Sequence, residues 1–201
     1  MSNKAVLRSA LIAAGALAAA SIAFAQNRLP DVDRFTATTV AMTPADIELR
    51  IDVREWSDEA GRAAVVAALA EGGDVAGALR ALPTVGYVWR SDSGVGYSVK
   101  YAHRIDTPEG ERITFVTDKR LGAFDFKPWK AEGVDEDSGL EYSVIELKLP
   151  ENGTGDGTLS LAAEVKLDRE NGLVLLEAPA DAPRLLTDVK LEPKPYWAQG
   201  S

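Results

Sequence analysis

The residues of this sequence best suited to binding chemistry are a group of aromatic side chains that includes its single histidine. They fall on two segments, 84–90 and 95–105, in which apolar and polar residues alternate, separated by the turn-forming residues 91–94. Side chains two positions apart in a strand share a face, so the segments predict a hairpin with one continuous aromatic surface. The predicted ligand-binding residues are Tyr87, Trp89, Tyr97, Tyr101 and His103.

Two interpretations of this aromatic surface stay open. Large aromatic side chains dominate protein cores, and the group could simply fill the interior of the fold. Tyrosine and histidine also carry polar groups that need partners, and several of them converging on an apolar concave surface is typical of a ligand pocket.

Nucleophilic, metal and cofactor chemistry find little support in the sequence. His103 is the only histidine, the chain has no cysteine, and no serine lies in a G-x-S-x-G elbow. Zinc or copper would therefore have to rely on carboxylates, which suit calcium better. The acidic stretches 135–137 and 151–157 lack the EF-hand spacing, and we interpret them as a solvated loop and a glycine-rich hairpin turn. We expect no catalytic residue, no metal and no cofactor.

One carboxylate keeps an enzymatic alternative open. Glu146 interrupts a strand pattern on the face of Tyr142 and Val144. A carboxyl group in apolar surroundings can have a raised pKa and serve as a general acid in glycoside hydrolysis, which needs a second acid nearby. The flanking Ser143 and Lys148 are equally consistent with an exposed strand face.

The fold class follows from the alternation elsewhere in the chain. The clearest strand has Ile47, Leu49, Ile51 and Val53 on one face and Glu48, Arg50, Asp52 and Arg54 on the other. Further strands are predicted at 35–42, 84–90, 95–105, 112–117, 142–149, 158–167, 173–177 and 185–191, each bounded by turn residues. Eight or nine strands at this spacing predict a mainly antiparallel sheet, forming a sandwich or a curved, partly closed barrel.

Two short helices interrupt this pattern after the second strand. The first is predicted over residues 58–71, with Ser57 as its N-cap, Asp58 and Glu59 as acids in its first turn and Gly72-Gly73 at its end. The second, residues 74–82, stops before Pro83. The chain is therefore predicted to be an α+β protein whose helices cover one opening or one face of the sheet.

The N-terminus predicts export. Lys4 and Arg8 precede an uncharged, alanine-rich run that closes with Ala23-Phe24-Ala25, which is typical of a signal peptide cleaved after Ala25. The expected organisation is a signal peptide (1–25), an N-terminal extension (26–34), one globular domain (35–192) and a flexible tail (193–201). We expect the mature protein to be periplasmic or secreted, with no membrane span after signal cleavage.

The charge of the chain limits its partners. The formal net charge is −9, and removal of residues 1–25 leaves 20 basic side chains against 31 acidic ones, about −11. This sign argues against binding to nucleic acids or to anionic lipid surfaces, which attract basic patches.

A series of short motifs resembles a group of secreted bacterial proteins of unknown function. The motifs are Trp56-Ser57, Glu71-Gly72-Gly73, Leu82-Pro83-Thr84-Val85-Gly86-Tyr87, Gly96-Tyr97, Thr117-Asp118-Lys119-Arg120, Val144-Ile145-Glu146-Leu147 and Gly155-Asp156-Gly157-Thr158-Leu159-Ser160. The resemblance covers residues 35–190 and implies an exported, single-domain bacterial protein. It implies no activity.

The sequence thus favours an exported, non-enzymatic binding module for a small apolar ligand or a partner segment. The alternative is a surface-acting structural or interaction protein of the periplasm, with the aromatic residues of 124–129 or the tail at Tyr196 and Trp197 as its docking patch. A carboxylate-dependent hydrolase is a third hypothesis.

Overall fold

The structure is a computed structural model that describes residues 32–40, 47–70, 75–123, 142–151, 153–160, 164–168, 173–177 and 184–193. The predicted signal peptide, the aromatic segment 124–129, the acidic run 135–137 and the tail from residue 194 onward lie outside these residues.

The described residues form ten strands and two helices. The strands are β1 (Asp33–Thr39), β2 (Glu48–Val53), β3 (Gly86–Arg90), β4 (Gly96–Thr107), β5 (Gly110–Thr117), β6 (Val144–Leu149), β7 (Gly155–Ser160), β8 (Glu164–Asp168), β9 (Leu173–Glu177) and β10 (Arg184–Leu191). The helices are α1 (Glu59–Ala70) and α2 (Val75–Ala81), both between β2 and β3.

Eight of the strands form a closed antiparallel barrel in the order β1-β10-β7-β6-β5-β4-β3-β2. Closure comes from β1, which pairs with β2 on one side and with the last strand, β10, on the other. A barrel of eight strands has an interior just wide enough to be filled by side chains or to hold one small ligand. Strands β8 and β9 form a separate two-stranded sheet.

The predicted α+β class, the antiparallel sheet and the two helices after the second strand are confirmed. The structure adds two details to this prediction. The sheet closes completely, and the single strand expected over 158–167 is divided between β7 in the barrel and β8 in the small sheet. Both depend on pairing between distant segments, which alternation within one segment does not specify.

The barrel interior holds one large cluster of buried apolar side chains. Strand alternation places every second residue inward, and these residues pack together: Phe35, Ala37, Ile47, Leu49, Ile51, Val53, Val85, Val88, Tyr97, Val99, Ala102, Ile113, Phe115, Leu121, Ile145, Leu147, Leu159, Leu186 and Val189. Nearly all of this cluster lies on the barrel strands, from β1 at one end of the described chain to β10 at the other. Its burial is therefore the main apolar contribution to the stability of the barrel.

An aromatic group on the interior cluster includes Trp56, from the segment that follows β2. Its ring packs against Phe35 and Phe115 at centroid distances of 6.3 Å each. The indole N–H donates to the Asp33 carboxylate at 3.0 Å, and the Arg104 guanidinium lies over the ring at 4.8 Å from its centroid. Trp56 thereby ties the connection between β2 and α1 to the barrel.

The two helices cover the outside of the barrel over β4, β5 and β6. Val65 of α1 and Leu79 of α2 are buried in a second apolar cluster with Tyr101, Val116 and Val144. The N-cap of α1 is Asp58, whose Oδ1 accepts the backbone N–H of Gly61 at 2.7 Å. The predicted cap, Ser57, lies one residue earlier and its hydroxyl accepts the backbone N–H of Ala102 at 3.0 Å. Neither described helix has the length and apolar character needed to cross a membrane.

Enlarging an inward side chain tests whether the barrel interior is filled. Ala37 is 1% exposed on β1. We expect Ala37→Leu to lower the free energy of unfolding by about 1–3 kcal/mol, because extra methyl groups strain a packed core. Ala64→Leu on the exposed surface of α1 is the matched control, with an expected change within about 0.5 kcal/mol. Urea denaturation measures both, and an unchanged stability of Ala37→Leu would reveal unfilled interior space.

Candidate functional site

The five predicted ligand-binding residues lie on both sides of the barrel wall. Tyr97 is opposite Val88, and both are in the interior cluster. Tyr87 is opposite Ser98 and Trp89 is opposite Gly96, so these two aromatic rings are outside. Tyr101 and His103 are also outside, but on the part of the surface next to the helices.

The expectation of one continuous aromatic surface was therefore wrong, and a β-bulge in β4 is part of the reason. Val99 pairs with Thr117 and Tyr101 pairs with Val116, so β4 carries one extra residue at this point. The extra residue reverses the alternation. Tyr97 and Val99 point inward before the bulge, whereas Tyr101 and His103 point outward after it.

Tyr97 is a core residue with its polar group satisfied. It is 2% exposed, and its hydroxyl accepts the backbone N–H of Gly122 at 2.9 Å. The neighbouring Leu121 donates its backbone N–H to the Ser143 hydroxyl at 3.0 Å. Tyr97 thus anchors the turn after β5 to the barrel interior, and its hydroxyl is engaged in this contact.

Tyr87 and Trp89 are part of an outer surface that we call the arginine-aromatic face, consisting of Arg50, Arg54, Tyr87 and Trp89. The Arg50 guanidinium lies 4.4 Å from the Trp89 ring centroid, and that of Arg54 lies 4.9 Å from the Tyr87 ring centroid. The two rings are 5.4 Å apart. Each arginine is therefore held against an aromatic ring by a cation–π contact.

The strand register explains why these four side chains meet. Arg50 and Asp52 of β2 are directly opposite Trp89 and Tyr87 of β3. On the far side of Trp89, the chain of β4 comes so close that a Cβ atom on Gly96 would lie 2.6 Å from the indole nitrogen. Glycine at this position allows the indole to lie against β4 while Arg50 covers the ring.

The charges on this face are unequally paired. Asp52 is 8% exposed and accepts two hydrogen bonds from Arg34, at 2.7 and 3.0 Å. These hydrogen bonds raise the pKa of Arg34 above its ordinary value. Arg50 is 3.8 Å from the same carboxylate. Arg54, by contrast, is exposed and has no ion pair within the described part of the chain.

Stacked arginines are suited to binding oxyanions. A guanidinium group carries its N–H donors in its own plane, so a ring on one face leaves those donors available to a carboxylate or phosphate. The aromatic contact also reduces the conformational freedom that a long side chain loses on binding. The arginine-aromatic face can therefore bind an acidic group through Arg50 and Arg54.

Tyr101 and His103 belong to a different part of the outer surface. Their rings are stacked at a centroid distance of 6.0 Å and an angle of 18°. From His103, directly opposed side chains continue across β5, β6 and β7. We call this set the polar row, and it consists of His103, Thr114, Glu146 and Thr158.

Burial shifts the pKa values of groups in and beside the polar row. It raises the pKa of Glu146 above 4.5, against the opposing effect of the Arg112 and Lys148 charges. It lowers the pKa of His103 below 6.5, and the charge of Arg62 acts in the same direction. Both side chains are thereby biased toward their neutral forms.

The hydrolase hypothesis requires a desolvated carboxyl group at Glu146 and a second acid beside it, and the structure supports the first of these. The Glu146 carboxyl group is partly desolvated, as a general acid needs. Thr114 and Thr158 are the residues directly opposite it on both neighbouring strands. Within the described ranges, no three histidine, aspartate or glutamate side chains come together as metal ligands.

Sequence reasoning found the aromatic half of the arginine-aromatic face and missed the arginines as binding residues. The alternation of 47–54 places Arg50, Asp52 and Arg54 together on the polar side of their strand. The missing information was which strand lies beside β2, because only that neighbour brings Trp89 and Tyr87 to the arginines.

Comparisons of the chain with family models, curated proteins and solved structures gave no significant match. The resemblance to secreted bacterial proteins therefore stays a prediction.

The raised pKa of Glu146 predicts a pH-dependent stability. The folded protein holds this proton more tightly than the unfolded chain, so the associated stability is complete below pH 4.5 and is lost as pH rises through the folded-state pKa. We expect Glu146→Gln, which cannot ionise, to be more stable than the parent protein at pH 7, with a smaller difference at pH 4. Urea denaturation at both pH values measures this.

Glu109→Gln, in the exposed turn between β4 and β5, is the matched control. Its effect on stability is expected to be small at both pH values. If Glu146→Gln were no more stable relative to the parent protein at pH 7 than at pH 4, burial would not be raising the pKa of Glu146.

Proposed function

We propose that this protein is an exported, non-enzymatic binding module that captures an acidic partner segment on the arginine-aromatic face. The observation that carries the proposal is the exposed Arg54, stacked at 4.9 Å on Tyr87 without an ion pair in the described part of the chain. Arg50, stacked on Trp89, supplies a second guanidinium on the same face.

The location of these arginines supports a specific contact. The chain as a whole has a net charge of −9, so a general attraction to acidic molecules is not expected from its overall field. A partner that carries carboxylates must find its binding energy in local contacts. Two pre-positioned guanidinium groups offer such contacts at short range.

Burial in the barrel favours this surface over a small apolar ligand in the interior. The inward side chains pack on one another in a single cluster, and Tyr97, the inward member of the predicted site, is 2% exposed with its hydroxyl bonded to Gly122. Of the two kinds of partner that the sequence suggested, a partner segment on the outer surface has the stronger support.

The test uses hexaglutamate as the acidic probe, with hexaglutamine as the uncharged control. We expect saturable binding of hexaglutamate in isothermal titration calorimetry. Arg54→Gln and Arg50→Gln should each weaken it about tenfold or more, since a hydrogen bond to a charged group is worth about 1.5–3 kcal/mol. Tyr87→Leu and Trp89→Leu should weaken it a few-fold by removing the cation–π support of about 0.5–1 kcal/mol.

Arg104→Gln is the matched control, because Arg104 also stacks on an indole, 4.8 Å from the Trp56 ring centroid, outside the arginine-aromatic face. It should leave the affinity unchanged. Equal binding of hexaglutamine, or an equal loss in Arg104→Gln, would contradict the proposal.

Export is a further part of the proposal and has its own test. Expressed in a bacterium with a periplasm, the protein should have a denatured mass that lacks residues 1–25 and begins at Gln26. Ala25→Arg removes the small residue at the cleavage site and should retain the full-length mass. A full-length mass for the parent protein would contradict processing after Ala25.

A further inference from the structure

An acidic side chain lies in the middle of the arginine-aromatic face. Asp52 stands between Arg50 and Arg54 in the sequence, two residues from each, so the three side chains share the outer side of the sheet. An uncompensated negative charge at this position would attract both arginines and repel the carboxylates of an acidic partner. The face can therefore bind acids only if the charge of Asp52 is compensated from elsewhere.

Arg34 supplies this compensation from the neighbouring strand. It lies directly opposite Asp52 in the pairing of β1 with β2. Its Nε donates to Oδ1 at 2.7 Å and its Nη2 donates to Oδ2 at 3.0 Å, so one guanidinium group engages both carboxylate oxygens. Such a fork fixes the two groups in one mutual geometry. The Asp52 side chain is only 11% exposed, so dissolved salt screens the pair less than an exposed one.

Closure of the barrel holds Arg34 in this position. The backbone carbonyl of Arg34 accepts the N–H of Glu192, the residue after β10, at 2.7 Å. The Glu192 carboxylate in turn accepts the hydroxyl of Thr36, two residues along β1, at 2.9 Å. Because β1 pairs with β2 on its other side, the backbone that carries Arg34 is held from both directions. Its guanidinium group is thus presented to Asp52 from a fixed strand.

Arg50 has two competing partners beside it. Its guanidinium carbon is 4.4 Å from the Trp89 ring centroid, and its Nε is 3.8 Å from Oδ1 of Asp52. The second distance is too long for a hydrogen bond, so of these two partners Arg50 contacts the ring. Trp89 lies against Gly96 of β4 and is not free to follow a movement of Arg50. If Arg50 turned to bond Asp52, it would leave the ring and spend its donors on that carboxylate.

We propose that Arg34 is a positioning residue of the arginine-aromatic face. By occupying the Asp52 carboxylate, it keeps Arg50 stacked on Trp89 with its N–H donors available to an acidic partner. Arg34 acts through Asp52 and Arg50 and makes no contact with the partner itself. This role rests on the function proposed for the face and adds a residue from the strand that closes the barrel.

A direct role for Arg34 as a third acid-binding arginine makes a different prediction. Its side chain is 45% exposed, so an acidic partner could reach it. Replacing both members of the pair, Arg34→Gln with Asp52→Asn, removes one positive and one negative charge and leaves the net charge of the face unchanged. A positioning residue is dispensable in this double variant, because no carboxylate remains to attract Arg50. A direct ligand is not.

The first measurement needs no partner and follows the Nε–H signal of Arg50 in a proton–nitrogen NMR spectrum. The signal is identified by its absence from Arg50→Gln. An aromatic ring moves a proton above its face upfield, whereas a hydrogen bond to a carboxylate moves a proton downfield. Arg34→Gln should therefore move the signal downfield, and the double variant should leave it at the parent position. An unmoved signal in Arg34→Gln would overturn the proposal.

The second measurement is calorimetric titration with hexaglutamate. Arg34→Gln should weaken binding about tenfold, as Arg50→Gln does, because it takes the same donors from the partner. The double variant should bind within about twofold of the parent protein, since the two changes are coupled through one carboxylate. A double variant that binds as weakly as Arg34→Gln would make Arg34 a direct ligand and overturn the proposal.

Arg62→Gln is the matched control, because Arg62 is paired with Glu59 at 3.3 Å on α1, away from the face. It should change neither the Arg50 signal nor the affinity. If Arg34→Gln does not fold, the double variant decides by itself, since it leaves no uncompensated carboxylate. A parent protein that does not bind hexaglutamate would contradict the function proposed for the face, whereas the NMR signal still decides whether Arg34 positions Arg50.

Discussion

The pairing of β1 with β10 is the constraint on which the rest of this structure depends. It joins the first and last strands of the described chain, with Phe35 opposite Leu191 and Thr39 opposite Leu186. Once the sheet is closed, every barrel residue has either an inward or an outward position, and the difference decides whether it is core or available to a ligand. A bulge in β10 adjusts this pairing, because three residue steps of β10, from Thr187 to Lys190, lie opposite two of β1. Asp188, with φ of 53°, lies in the β10 bulge and allows both Leu186 and Val189 to face inward.

The inward and outward sides then have different roles. The inside is a single apolar cluster to which strands distant in sequence contribute, and it supplies the hydrophobic stabilisation of a cysteine-free chain. The outside carries two surfaces with different chemistry. The arginine-aromatic face has permanent positive charges supported by aromatic rings, whereas the polar row has groups that burial biases toward neutrality.

Local sequence patterns predicted the fold class and most of the described secondary structure. The period-two alternation of 47–53 and the capping sequence before α1 act within a few residues of themselves, and both are present in the structure. The site was less predictable because it depends on pairing and register. One extra residue near position 100 separates Tyr97 from Tyr101 across the barrel wall, and alternation by itself would have kept them together. Likewise, Arg50 and Trp89 meet only because β2 and β3 pair across the intervening helices.

The closed hydrogen-bond ladder of the barrel has a consequence for how such a protein can change over evolutionary time. Within the barrel, each strand has a neighbour on both sides, so a partner that contacts it meets side chains and not an open backbone edge. Outward residues such as Arg54 and Thr114 can then be exchanged one at a time without disturbing the ladder or the core beneath them. A lineage of such barrels could diversify its partners rapidly while its inward residues remain almost fixed.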